Sequence, residues 1–452
     1  MPASSDRDAP ATVRTGPGKL AGALAVLTSL FFMWGLITSL NDILVPHLKA
    51  AFSLDYVRAM LIQFCFFGAY FVMSFPSGYL VERRGYKQGI IVGLCVAGVG
   101  CLLFYPAAGE RSYPFFLAAL FVLASGITLL QVAANPYVTI LGRPESASSR
   151  LNLTQAFNSL GTTVGPYLGA LFILAGASVA VSGAGGAAGA TRANPSVVQV
   201  PYLVLAAVLF LIAVVVGWSP LPARAALEAA ARPGEGGKTA RPNEGPSRMA
   251  STGTSAKRLR AWSYRHLVLG AAGIFVYVGA EVSIGSLLVS FMGQKSIAAL
   301  PAAVAGKYLS LYWGGAMIGR FIGSALMLRV RPARLLAVNA SVAAVLVAVA
   351  VASAGHLAMW ALLAVGLFNS IMFPTIFALA LDGLGEHTGE GSGVLCMAIV
   401  GGALVPELQA WAADSIGLLY SFVVPIACYL YILFYAVRGH RHAPALAPVS
   451  AT

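Results

Sequence analysis

Apolar runs of roughly 20 residues or more recur from residue 20 to residue 437, separated by short polar segments. Twelve are legible: 20–45, 57–80, 88–106, 114–141, 152–178, 201–218, 266–291, 301–328, 334–354, 357–381, 391–414 and 417–437. A helix needs about 20 apolar residues to cross the hydrocarbon core. The runs lack the two-residue alternation of barrel strands, and lipid cannot satisfy backbone N–H and C=O groups, so the spans are expected as helices. The pattern predicts an all-α polytopic membrane protein with twelve transmembrane helices.

The polar segments divide the chain. Residues 1–19 read as a disordered tail rich in Pro and Gly, and 438–452 as a second tail. Between spans six and seven, residues 219–265 are rich in Gly, Pro, Ala and charge, the composition of a linker. Two six-helix bundles follow, 20–218 and 266–437. The first apolar run is too long for a signal-peptide core and leads into further spans, so it reads as retained.

Composition fits this reading. The 452 residues are 58% hydrophobic and only 10% charged, against about 25% charge in soluble domains. The net charge of +13 does not point to nucleic acid, because the basic residues sit in the gaps between spans. Of the 29 Lys and Arg, 22 fall in segments on the side of the two tails and six on the other. That asymmetry predicts both termini in the cytoplasm. The five cysteines lie in apolar runs without metal-like spacing and read as small hydrophobes. There is no HExxH, phosphate loop or Ser/His/Asp set, and the six histidines lie near span ends or in the tail, so no enzyme is expected.

Charged groups inside a span are costly and mark functional candidates. Asp42, beside Asn41 in span one, suits proton exchange or a place in a sodium shell; the plainer alternative is an interfacial carboxylate near Lys49. Glu281 lies mid-span with no basic residue nearby in sequence, and a tertiary ion pair with an arginine is its plainer alternative. Glu407 follows Pro406, which suggests a broken helix of the kind transporters use for binding. Gln131 and Asn135 share one face of span four; Asn152, Gln155 and Asn158 share one face of span five. Amides donate and accept, which suits a neutral polyhydroxyl ligand. Their plainer role is helix–helix hydrogen bonding.

A weak repeat relates the halves. With a shift of 238 residues, Gln131 falls on Asn369 and Pro136 on Pro374, so spans four and ten each carry an amide five residues before a proline. After span two, "GYLVERRGYKQG" places Glu82, Arg83 and Arg84 at a turn, and "GGAMIGRFIGSALMLRVRP", with Arg320, is a fainter echo after span eight. The first resembles the loop signature of major facilitators, in which glycine permits close packing and charges latch one state; Glu82 stands at its aspartate position.

Five segments together, "FFMWGLITSLNDILVPHLK", "LQVAANPYVTILG", "RLNLTQAFNSLGT", "YVGAEVSIGSLLVSF" and "GLFNSIMFPTIFALAL", resemble the fucose–galactose–glucose:cation symporter family of the major facilitator superfamily. The resemblance covers nearly all twelve spans. It implies the major facilitator fold and uptake of a monosaccharide driven by a proton or sodium gradient, without a cofactor, by a monomer in the bacterial inner membrane. It implies ion coupling at Asp42 and sugar contact at Gln155 and Asn158. Fucose permeases carry a glutamate where this chain has Gln131, and an amide cannot cycle a proton. Gln131 with Glu281 looks more like the glucose/galactose and N-acetylglucosamine branch, with Glu281 as the second coupling acid. Candidate sugar contacts are then Asn41, Gln131, Asn135, Gln155, Asn158, Asn369 and Glu407. L-fucose or N-acetylglucosamine symport is the alternative within the family. An exporter of drugs or cations is the alternative of another class, and it predicts a cavity of aromatics and acids.

Overall fold

The computed structural model describes residues 17–51, 56–169, 199–219 and 261–441. Described residues are almost wholly helical, and the helices follow the apolar runs. The first half contains α1 (Pro17–Ala51), α2 (Tyr56–Arg84), α3 (Tyr86–Gly109), α4 (Tyr113–Ile140), α5 (Ala147–Gly169) and α6 (Gln199–Trp218). The second contains α7 (Arg265–Gly293), α8 (Ala302–Leu326) and α9 (Pro332–Ala352), then three helices in pieces. These are α10a (Gly355–Asn369) with α10b (Met372–Leu381), α11a (Thr388–Met397) with α11b (Gly401–Ile416), and α12 (Val423–Phe434) with a short lead-in at Leu418–Ser421. Ten of the twelve rods are long and apolar enough to cross a membrane. The other two, α5 and α8, carry Asn152, Gln155 and Asn158, and Arg320.

Two boundaries differ from the sequence reading. Helix begins at Pro17, where proline's fixed φ suits a first turn, so the last residues of the expected tail are helical. A short 3-10 turn at Ala261–Ser263 and the start of α7 occupy the end of the expected linker. The rest of the linker, both tails beyond these limits and residues 170–178 of span five lie outside the described residues.

Packing follows the two-half plan. Within the first half, α3 packs on α4 and α6, α2 on α4, and α1 on α5. Within the second, α9 packs on α10a and α12, α8 on α10a, and α7 on α11b and α12. The halves meet through α2 against α11a and α5 against α8, pairs exchanged by a two-fold relation between the halves.

Glycine sets the closest approaches. A Cβ at Gly161 would stand 2.2 Å from the Phe32 carbonyl oxygen, so only glycine lets α1 and α5 cross there. Across the halves, a Cβ at Gly393 would stand 2.8 Å from the Ser74 oxygen, and one at Gly389 2.7 Å from Cγ of Glu82.

Candidate functional site

In both halves the amide before the proline meets a tyrosine. Gln131 Nε2 donates to the Tyr70 hydroxyl of α2. Asn369 Nδ2 donates to the Tyr312 hydroxyl of α8 at 2.8 Å. Helices α2 and α8 are the second helices of their halves, so one tyrosine–amide–proline unit is built twice. Gln131 is 4% exposed and Asn369 0%. In α10 the helix is interrupted at Ser370 and Ile371, just before Pro374, which has no N–H for the carbonyl four residues back.

Helix α5 connects the polar groups. Gln155 Nε2 donates to Asn135 Oδ1 of α4 at 3.4 Å. One turn away, Asn152 Nδ2 reaches Thr375 Oγ1 of α10b at 3.3 Å, across the halves. Ser159 accepts from Nη1 of Arg320 in α8, and Thr163 sits 3.6 Å from Met317 Sδ. Asn158 points the other way and donates to the Phe31 carbonyl of α1 at 3.0 Å. Asn135 Nδ2 and Asn152 Oδ1 are buried without a protein partner among the described residues. A buried donor and acceptor left open in this way suit a polar ligand.

Glu281 lies in α7 with its side chain 13% exposed. The Tyr277 hydroxyl donates to its Oε1 at 2.8 Å, and Arg320 Nη2 lies 3.9 Å from the same oxygen. The tertiary ion pair considered in the sequence is therefore present. Arg320 is not at the turn with Glu82; it stands two turns inside α8, between Glu281, Ser159 and the Ser370 carbonyl, to which Nε donates at 3.0 Å. Its length lets it join three helices from one backbone position.

The turn after α2 separates its charges. Glu82 Oε1 accepts the Glu390 N–H at 2.9 Å, in the first turn of α11a, so a carboxylate of the first half sits on a helix N-terminus of the second. Glu390 Oε2 in turn accepts the Ala261 N–H at 3.1 Å. Arg83 lies over the Tyr79 ring of its own helix at 4.2 Å, and Arg84 is exposed. Two hydroxyls close the same end of the bundle: Ser149 Oγ donates to the Ser324 carbonyl at 2.7 Å, and Ser324 Oγ to the Ser149 carbonyl at 2.9 Å.

Glu407 stands apart. It is exposed on a face of α11b shared with Leu404, Leu408 and Trp411. The break in this helix falls at Ala398–Val400, before Gly401 and Gly402, and Pro406 is accommodated inside a continuous α11b. Two adjacent glycines absorb the bend more readily than the residues around the proline. The backbone of Asn41 and Asp42 belongs to α1, but their side chains lie outside the described residues. Ser392, Tyr70 and Ser159 were missed in sequence; single hydroxyls inside apolar runs carry no periodic signal.

The geometry defines a two-half helical membrane transporter with polar groups of both halves converging along α5 and closed at the end of the 82–87 turn. Residues 23–406 match the Major Facilitator Superfamily. The chain belongs to that superfamily and, within it, to the fucose–galactose–glucose:cation symporter family. It is 54% identical over 419 residues to the glucose/galactose transporter of Brucella abortus, covering 93% of this chain and 94% of that protein. It is 33% identical to the L-fucose-proton symporter of Escherichia coli, covering 91% of this chain and 92% of that protein. The crystal structure of FucP in its outward conformation aligns with a TM-score of 0.79 at 31% identity, over 94% of this chain and all of that one.

Proposed function

We propose that the protein is a secondary active symporter that takes up a neutral monosaccharide of the glucose/galactose class, driven by a proton or sodium gradient, through alternating access. The observation that carries the reading is the polar set along α5: amides of the first half, one of them reaching the Thr375 hydroxyl of the second, with an open donor on Asn135 and an open acceptor on Asn152, and little net charge. Such a set reads hydroxyls. An exporter of cations needs acids lining the cavity, and the one buried acid described, Glu281, is occupied by Tyr277 and Arg320. The glucose/galactose relative named above supports the sugar class, and the FucP likeness supports a state open to the outside.

In this reading Gln131, Asn135, Gln155 and Asn369 hold the sugar, Asp42 takes the coupling ion, and the halves rock about the site. Glu281, held by Arg320, orients the second half. The bundle lies in the bacterial inner membrane with both termini in the cytoplasm, as a monomer, and the closed end faces the cytoplasm. The test is counterflow of labelled glucose in proteoliposomes, with galactose, L-fucose and N-acetylglucosamine as competitors. Competition by galactose with loss of counterflow in Gln131→Ala is expected. Unchanged counterflow in Gln131→Ala removes that amide from the site, and competition by L-fucose alone moves the protein to the fucose branch.

A further inference from the structure

A proline leaves the carbonyl four residues before it without a helical N–H. A buried carbonyl in a membrane span must then find another donor. In α4 that carbonyl is Val132, ahead of Pro136, and Ser392 Oγ of α11a donates to it at 2.9 Å from the opposite half. In α10 it is Ser370, ahead of Pro374, and Arg320 Nε donates to it at 3.0 Å. The same guanidinium reaches Ser159 of α5, so this carbonyl too is tied to the opposite half. Each freed carbonyl directly follows the tyrosine-bound amide: Val132 follows Gln131, and Ser370 follows Asn369.

We infer that Ser392 and the Ser159–Arg320 pair are positioning residues of the transport cycle, pins that tie closure of this end of the bundle to the backbone beside the amides Gln131 and Asn369. Parting the halves here withdraws Ser392 from Val132 and Ser159 from Arg320, so the Val132 carbonyl needs water or a new partner, and Arg320, the donor to Ser370 in its own half, loses the hydroxyl that anchors it. A ligand drawing on either amide moves the pinned carbonyl one residue away. This last step rests on the reading that the amides hold sugar; the pinning itself does not.

The chain carries its own reporter. Cys396 is fully buried in α11a, one turn past Ser392. The measurement is the rate at which a membrane-permeant maleimide labels Cys396 without sugar, with Cys65, Cys95, Cys101 and Cys428 replaced by alanine. Ser159→Ala is the decisive variant, because Ser159 lies on a different helix from the reporter. It is expected to raise the rate about fivefold, equivalent to about 1 kcal/mol at 1.4 kcal/mol per factor of ten. Ser392→Ala is expected to raise it as well, and Ser392→Thr to restore it. A rise in Ser392→Ala with none in Ser159→Ala is local loosening of α11a and overturns the inference, as does no rise in either. Should Ser159→Ala not fold, Arg320→Lys, which loses the fork to Ser159 and Ser370, carries the same expectation. Since no sugar is present, failure here is distinct from failure of the sugar reading, which is tested by counterflow in Gln131→Ala.

Discussion

Arg320 and Glu281 give the sharpest energetic prediction. At 3.9 Å and an effective dielectric constant of about 20, unit charges attract by about 4 kcal/mol. Removing one partner strands the other: Arg320→Gln leaves the Glu281 carboxylate with Tyr277 only, whereas Glu281→Gln leaves Arg320 with Ser159 and the Ser370 carbonyl. Arg320→Gln should therefore be the more damaging of the two, costing about 3–5 kcal/mol, the range for a broken buried pair. The double variant should be less damaging than Arg320→Gln alone, because it removes the stranded charge. The assay is the thermal midpoint of purified protein in detergent for wild type, both single variants and the double variant. Additive shifts, or Glu281→Gln more damaging than Arg320→Gln, would refute the electrostatic account of this cluster.

Three further outcomes follow from the packing. Glu82→Ala removes a carboxylate from the first turn of α11a, an interaction of about 1 kcal/mol, and should speed maleimide labelling of Cys396 about fivefold; Arg83→Ala, which loses a contact with Tyr79 of its own helix, should not. Tyr70→Phe leaves Gln131 Nε2 buried without its acceptor, at about 1–3 kcal/mol; it should lower the thermal midpoint and the glucose-induced thermal shift together. Gly161→Leu places a side chain against the Phe32 carbonyl, and should abolish folded protein in size-exclusion chromatography where Gly22→Leu, in open space, does not.

Much of this architecture was legible because it rests on periodic signals. Runs of apolar residues set the rods, and the shift relating Gln131–Pro136 to Asn369–Pro374 exposed the duplicated unit. The tyrosines completing each unit lie 61 and 57 residues away in sequence, and only packing brings them to the amides. Ser392 lies 260 residues from the carbonyl it holds. For Glu281 the sequence left open a tertiary ion pair with an arginine, and packing supplies it from Arg320 of the next helix. Pro406 pointed to a break that Gly401 and Gly402 take up instead. Arg320, read within span eight and grouped with the latch charges by a faint motif echo, instead joins Glu281, Ser159 and the Ser370 carbonyl.

Sugar symport by this chain requires that an ion gradient drive the sugar through it. Labelled glucose uptake into proteoliposomes should rise above equilibrium under an imposed proton or sodium gradient. Asp42→Asn should keep exchange and lose that accumulation. Equal uptake with and without either gradient in the wild type, or undiminished accumulation in Asp42→Asn, would contradict the coupling. No uptake at all would remove sugar symport and bring the exporter reading forward.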